Sequence, residues 1–185
     1  MPADLTIFTA TYLVFVEAVI ALGAVAFALY RQPRREVVRW VITAGVTGVM
    51  AEVFTQIGGA IYNDPRPFVV RHFHPLIAHI ADNGFPSDHA LLAAFLVVCV
   101  LRTRFWRAVP VVTTLAVLVD WARVGAGIHH PIDVIGSAVF VALGAVIAVA
   151  VTPFVFDWIS PHLPHVLSGP ESISQWRRTP NTHGR

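Results

Sequence analysis

From Thr6 to Tyr30 the chain runs for 25 residues with a single charged side chain, Glu17. A segment of that length and polarity suits the hydrocarbon layer of a membrane. There water cannot satisfy the backbone, so only helices and closed barrels persist. Four further apolar runs follow, at about Val37–Ile61, Ser87–Leu101, Val109–Val124 and Ile132–Val155. Their apolar residues are continuous rather than alternating, which points to helices and not to barrel strands. The expected fold is therefore all-α, a polytopic integral membrane helical bundle of about five transmembrane helices. One membrane domain would cover residues 1–156, with residues 157–185 as a cytoplasmic C-terminal tail. Across 185 residues, 56% hydrophobic and 13% charged is not the balance of a soluble domain.

The first run is longer than a secretory signal core and has no basic stretch before it, so it reads as an uncleaved first span. Cys99 is the lone cysteine, which excludes an intramolecular disulfide and a cysteine-rich metal site. All 13 basic residues are arginines, and they do not form a patch interleaved with exposed aromatics, so nucleic acid is not an expected partner. Ten of them fall in the segments after runs one, three and five. Only Arg66, Arg71 and Arg123 fall on the other side. The positive-inside rule then places the N-terminus outside and the tail in the cytoplasm, a multi-pass topology.

The three exceptional arginines lie in or beside two segments rich in unusual residues, "YNDPRPFVVRHFHPLIAHIADNGFPSDH" and "ARVGAGIHHPID". Six of the nine histidines are there: His72, His74, His79, His89, His129 and His130. Pro86 fits a helix first turn, so the third span is expected to start around Pro86–Asp88, exposing free N–H groups and a positive dipole end. Ser87 adds a hydroxyl, and His89 would point near any anion held there. Pro131 likewise suits a helix start. Asp133, four residues after His129, can accept the imidazole N–H and leave the other ring nitrogen free for attack. Arg123 could reach the same place, and Arg66-Pro67 supplies a planar fork of donors suited to phosphate oxygens. The set fits phosphoryl transfer without a metal: cations hold the oxygens, one histidine attacks and the other protonates the leaving group.

At these residues the sequence resembles the type 2 phosphatidic acid phosphatase family. Its signatures run Lys-x6-Arg-Pro, Pro-Ser-Gly-His and Ser-Arg-x5-His-x3-Asp, and here they meet Arg66-Pro67, "PSDH" and "ARVGAGIHHPID" in the same order over about Gly59 to Asp133. The resemblance implies that His129 forms a phosphohistidine, Asp133 orients it and His89 is the general acid. It also implies that Arg66, Arg123 and Ser87 bind the phosphoryl oxygens, and that no metal or other cofactor is needed. Three positions depart from the pattern: Gly59 stands where the lysine would fall, Asp88 for the glycine and Ala122 for the serine. Arg71 is the expected substitute for the missing lysine charge. Within the family, "PRPFVVRHFHPLIAHIADNGFPSDHA" looks most like the bacterial undecaprenyl-pyrophosphate phosphatases associated with bacitracin resistance. That branch implies hydrolysis of a polyprenyl pyrophosphate at the extracytoplasmic face. Alternatives are a phosphatidate or phosphatidylglycerophosphate phosphatase, or a non-catalytic binder or transporter of phospholipid head groups.

Other polar residues carry blander expectations. His130 reads as a packing or hydrogen-bonding neighbour, and His72, His74 and His79 match no familiar zinc spacing. Glu17 and Glu52 should face the bundle or a watery cavity, with Gln56 one turn from Glu52. Asp120 should aim Arg123, one turn away. Trp106, Trp121 and Trp158 read as interface anchors. Small residues at four-residue spacing, Ala44 and Gly48, Ala138 and Ala142, and Gly144 and Ala148, allow close packing within the bundle.

Overall fold

The computed structural model describes residues 2–163 and Leu167. Its helices are α1 (Ala3–Tyr30), α2 (Arg34–Ile61), the single turn α3 (Pro67–Val70), α4 (Asp88–Arg102), α5 (Val109–Gly125) and α6 (Pro131–Ile159), followed by a 3-10 turn at Ser160–His162. The architecture is a membrane helical bundle, and the five long helices coincide with the five apolar runs to within a few residues. Most of the tail expected from residue 157 lies outside the described residues, and α6 continues past that boundary to Ile159.

Three of the five are long and apolar enough to cross a membrane: α1, α2 and the segment Pro131–His162. The other two, α4 and α5, have 15 and 17 residues. At 1.5 Å per residue these are roughly 22 and 26 Å long, short of a hydrocarbon layer of about 30 Å. The five helices expected of the bundle are thus present, three of them full-length and two shorter. The shortness of α5 positions chemistry, because its last turn stops beside the first turns of α1. Arg123 reaches the carbonyl of Ala10, seven residues into α1, which recesses that side chain by about 10 Å from the start of the helix.

The bundle divides into two packed groups. In one, α1, α4 and α5 share an apolar core of Val14, Ala21, Val25, Ala93, Leu96, Val100, Val112 and Val119. In the other, α2 and α6 lie close together because small residues meet. A Cβ on Gly144 would come within 2.8 Å of the Thr47 carbonyl, and the hydroxyls of Thr43 and Thr152 are 2.9 Å apart. Such contact is how helices associate where lipid removes the hydrophobic drive between them. The small-residue spacing of Gly144 and Ala148, and of Ala44 and Gly48, serves packing within the bundle, whereas Ala138 and Ala142 are exposed and do not. Outward faces carry large apolar side chains such as Val19, Phe27, Val146 and Phe154, and Trp106, Trp121 and Trp158 are also exposed.

The starts of α1, α4 and α6 and the ends of α2 and α5 meet at one end of the bundle. There the 62–86 loop folds back over the helices. The ring of Phe85 packs edge-on against Tyr62 and Phe140 and covers Gly136, where a Cβ would lie 2.3 Å from it. Phe73 covers Gly127, whose φ of 76° also calls for glycine. Aromatic rings seated on glycines thus fix the loop to the bundle.

Replacing Gly144 by valine forces backbone against backbone, so thermal unfolding in detergent is expected to show a loss of about 1–3 kcal/mol. Gly23→Ala, with nothing within 4 Å, is the control and should not lose stability. Equal stability of Gly144→Val and wild type would contradict the α2–α6 contact.

Candidate active site

His129 lies in the turn between α5 and α6 and is 3% exposed. Its Nδ1 lies 3.0 Å from the Gly84 carbonyl and 3.2 Å from Asp133 Oδ2, both acceptors. Its Nε2 lies 3.2 Å from Arg123 Nη2 and 3.3 Å from Arg66 Nη1, both donors. One tautomer satisfies all four partners, with the proton on Nδ1 and the lone pair on Nε2. Burial, and after it the two guanidiniums, outweigh the Asp133 hydrogen bond and hold the imidazole below the usual histidine range. The ring is therefore neutral near pH 7, with its nucleophilic nitrogen aimed between two arginines.

Each neighbour is set by its own element. Pro131 opens α6 at the first helical position, as its fixed φ predicts, and Asp133 follows in the first turn, fully buried. Asp133 Oδ2 also accepts the His130 backbone N–H at 2.8 Å, so one carboxylate both caps the helix and orients His129. Arg66 immediately precedes α3, whose first residue is the buried Pro67. The Arg66 Nε donates to Asp82, and its Nη1 also donates to the Ile128 carbonyl at 2.9 Å. Arg123, in the last turn of α5, is held by Ala10 and His129.

At α4, Ser87 is the residue before the helix and Asp88 its first residue, so Pro86 lies just outside the first turn where it was expected. Ser87 is fully buried. Its backbone N–H donates to the Asp133 carbonyl, and its own carbonyl accepts from Ser137 Oγ at 2.8 Å. These bonds lock the start of α4 to α6 and leave the Ser87 hydroxyl without a protein partner, like Arg123 Nε and Asp133 Oδ1. His89, half-buried two residues after Ser87, faces the same cavity. That cavity has a volume of about 660 Å³, and its wall includes Arg66, His79, Asp88, His89, Arg123 and His129.

The structure thus brings His89, His129, Arg66, Arg123 and Asp88 to one cavity, with Asp133, Ser87 and Pro67 behind them. It does not bring Arg71 there. Arg71 ends the α3 turn and is exposed away from the cavity wall, because one helical turn after Arg66 carries the chain outward. The expected partnership of Asp120 with Arg123 is also absent among the described contacts. Asp120 instead stands near Glu17 of α1, close enough for like charges to repel, and the Glu17 side chain is fully buried with no hydrogen-bond partner for its two oxygens. Glu17 faces the bundle as expected, whereas Glu52 is exposed on α2. There Glu52 accepts from Gln56 at 2.6 Å, and Gln56 reaches the cavity wall.

Several residues of the site carry no signal in the sequence. Asn83 makes four hydrogen bonds: Oδ1 accepts from the N–H groups of Asp64 and Phe85, and Nδ2 donates to the carbonyls of Gly59 and Tyr62. Asp82 fixes Arg66, and the Arg66 charge and hydrogen bond, outweighing burial, hold its carboxyl below the usual range. His130 is a hydrogen-bonding neighbour, with Nδ1 2.9 Å from Asp64 Oδ2. Burial and the adjacent Asp133 push the Asp64 carboxyl up. Asp64, His130 and Asp133 offer ligand atoms within 4.8 Å of one another, the described set whose spacing would admit a metal ion. A motif with the dipeptides Asp82-Asn83 or Asn63-Asp64 is too common to stand out.

A membrane bundle with a buried, polarised histidine between two arginines at one end defines the class of site. Residues 40–160 match the PAP2 superfamily, and the chain belongs to that family. It is 33% identical over 122 residues to undecaprenyl-diphosphatase BcrC of Bacillus subtilis (strain 168), an overlap of 66% of this chain and 63% of that protein. The chain therefore spans less than two thirds of that relative's length. It is 32% identical over 160 residues to the bacitracin transport permease protein BcrC of Bacillus licheniformis, covering 84% of this chain and 70% of the relative. The crystal structure of Aquifex aeolicus LpxE shares the fold, with a TM-score of 0.57 and 18% identity over 81% of this chain and 87% of that one.

Asn83→Ala would strand four backbone groups at once. The expected result is a loss of about 2–4 kcal/mol in thermal unfolding, together with faster amide hydrogen exchange across residues 62–86. Unchanged exchange would mean that Asn83 does not organise the loop.

Proposed function

We propose that the protein is a membrane lipid phosphatase that hydrolyses a polyprenyl diphosphate, undecaprenyl diphosphate foremost, to the monophosphate and inorganic phosphate. The observation that carries this reading is the orientation of His129, with Nδ1 held by two acceptors and Nε2 facing Arg66 and Arg123. Membership of the PAP2 superfamily supports phosphatase chemistry. The diphosphate is favoured because two relatives carry the names undecaprenyl-diphosphatase BcrC and putative undecaprenyl-diphosphatase YbjG.

In this mechanism the terminal phosphoryl group enters the cavity and its oxygens take over the guanidinium donors from His129. The Nε2 lone pair attacks phosphorus, and the bond from phosphorus to the bridging oxygen breaks. His89, which takes up a proton as the anionic substrate enters, delivers it to that oxygen, which leaves as the lipid monophosphate. Asp133 stabilises the positive charge on the phosphorylated ring through Nδ1–H. His89, now neutral, takes a proton from water as the water oxygen attacks phosphorus. The P–N bond breaks and inorganic phosphate leaves. Ser87 Oγ and the N-terminus of α4 supply further donors to the phosphoryl oxygens.

The decisive assay is phosphate release by the purified protein in detergent with EDTA, comparing undecaprenyl diphosphate with phosphatidic acid. Turnover should favour the diphosphate and fall about a thousandfold or more in His129→Ala without loss of folding. Preference for phosphatidic acid would move the assignment to a phospholipid phosphatase. Binding without turnover would support a head-group binder or transporter. Loss of activity in EDTA that a divalent metal restores would direct attention to Asp64, His130 and Asp133.

The proposed orientation has the site facing outward from the bacterial plasma membrane. Its support is the arginine asymmetry: Arg31, Arg34, Arg35, Arg39, Arg102, Arg104 and Arg107 lie at the opposite end of the bundle. Gly127 cannot host a probe, because Phe73 fills the space a Cβ would need. His74→Cys in a Cys99→Ala background is suitable, since His74 is exposed and Cys99 is buried. A membrane-impermeant maleimide should label it in intact cells. Labelling only after permeabilisation would reverse the orientation.

A further inference from the structure

His79 belongs to none of the three signatures, yet it faces the cavity with them. It comes from the 62–86 loop, and its ring stands edge-on to that of His129, with centroids 6.4 Å apart and planes at 75°. Its Nδ1 is turned to the Ile80 carbonyl at 3.4 Å. With the proton on Nδ1, Nε2 is available, and no described residue hydrogen-bonds to it.

The charge of the substrate gives this position its meaning. Both arginines of the cavity converge on His129 Nε2 and are committed to the phosphoryl group under attack. A diphosphate brings a second phosphate with further negative charge. The position of the signature lysine is Gly59, and Arg71 lies elsewhere. Of the remaining cavity side chains able to carry positive charge, His89 is assigned to the leaving oxygen, which leaves His79. We propose that His79 touches the substrate, binding the second phosphate group, and so selects a lipid diphosphate over a lipid monophosphate. This rests on the phosphatase reading above.

The surroundings make the interaction responsive to charge. His79 is faced by Arg66 and Asp82 from its own loop, Arg123 from α5, His89 from α4 and His129 from the following turn. Burial first, and then Arg66, hold its imidazole below the usual histidine range in the unliganded cavity. An arriving phosphate reverses the sign of the local field and draws a proton from solvent onto the ring. The charged ring then donates through Nε2 to a phosphate oxygen, a charge-assisted bond stronger than a neutral one. The bound form is thereby favoured as pH falls.

The test uses the full chain in detergent with two probes of one tail, farnesyl diphosphate and farnesyl monophosphate, and with wild type, His79→Ala and His79→Gln. Loss of a hydrogen bond to a charged group predicts a KM for the diphosphate raised about tenfold to a hundredfold in His79→Ala. The kcat should change far less, and the monophosphate kinetics by less than about threefold. Glutamine retains a donor without a charge, so it should recover part of the loss. The wild-type advantage over it should grow from pH 8 to pH 6 as the bound imidazole becomes protonated. Calorimetry with inorganic pyrophosphate and orthophosphate supplies a readout independent of turnover: wild type should prefer pyrophosphate, and His79→Ala should lose that preference.

Equal losses on diphosphate and monophosphate, or no loss on either, would overturn the assignment and leave the phosphatase reading standing. A wild type that cleaves no lipid yet keeps a His79-dependent preference for pyrophosphate would do the reverse. If His79→Ala fails to fold, His79→Gln decides both arms.

Discussion

A buried imidazole with acceptors on one side and cations on the other is the interaction on which the rest of this structure depends. The four partners of His129 come from four places: Gly84 from the long loop, Asp133 from α6, Arg123 from α5 and Arg66 from the residue before α3. None can move far without leaving a buried polar group unpaired, and in a low-dielectric site that is costly. The ring is fixed in one tautomer because every alternative places a donor against a donor or an acceptor against an acceptor.

The bundle supplies the frame for this arrangement, and the loop supplies its precision. Three long helices provide the anchorage in lipid, while the shorter α4 and α5 end where their polar termini are needed. The loop would be a poor scaffold by itself, having one turn of helix over some 25 residues. It gains order from Asn83, from the isolated bridge between Pro65 and Asn83, and from Phe85 and Phe73 seated on Gly136 and Gly127. Glycine in the helices and turn is thus as much a part of the site as the charged residues, because it makes room for the rings that hold the loop down.

Polar groups elsewhere in the bundle obey a different logic. Thr43, Thr47 and Thr152 return their hydroxyls to carbonyls one turn earlier in their own helices, and Thr43 and Thr152 also meet each other, so the α2–α6 contact is satisfied without charge. Around the cavity, by contrast, Ser87 Oγ and Arg123 Nε are buried without a protein partner. Donors held ready in this way are preorganised for an anion. The Glu17 and Asp120 pair, deep between α1 and α5, belongs to neither pattern and has no assigned role.

The sequence alone determined the helices and the identities of the ionisable groups at the site. Length and apolarity leave so long a run no stable state in lipid except a helix, so the five runs were legible to within a few residues. The spacing of Arg123, His129 and Asp133 around a proline-started helix was legible for the same reason, because it depends on one local turn. What tertiary structure decided is how separate segments meet. It excluded Arg71 and admitted His79, gave Arg66 to Asp82 rather than to solvent, and tied Arg123 to Ala10 and His129 rather than to Asp120. It also set where the shorter α4 and α5 end, so that their polar termini meet the site. Those outcomes depend on distances between residues far apart in the chain, and neither hydropathy nor motif spacing carries them.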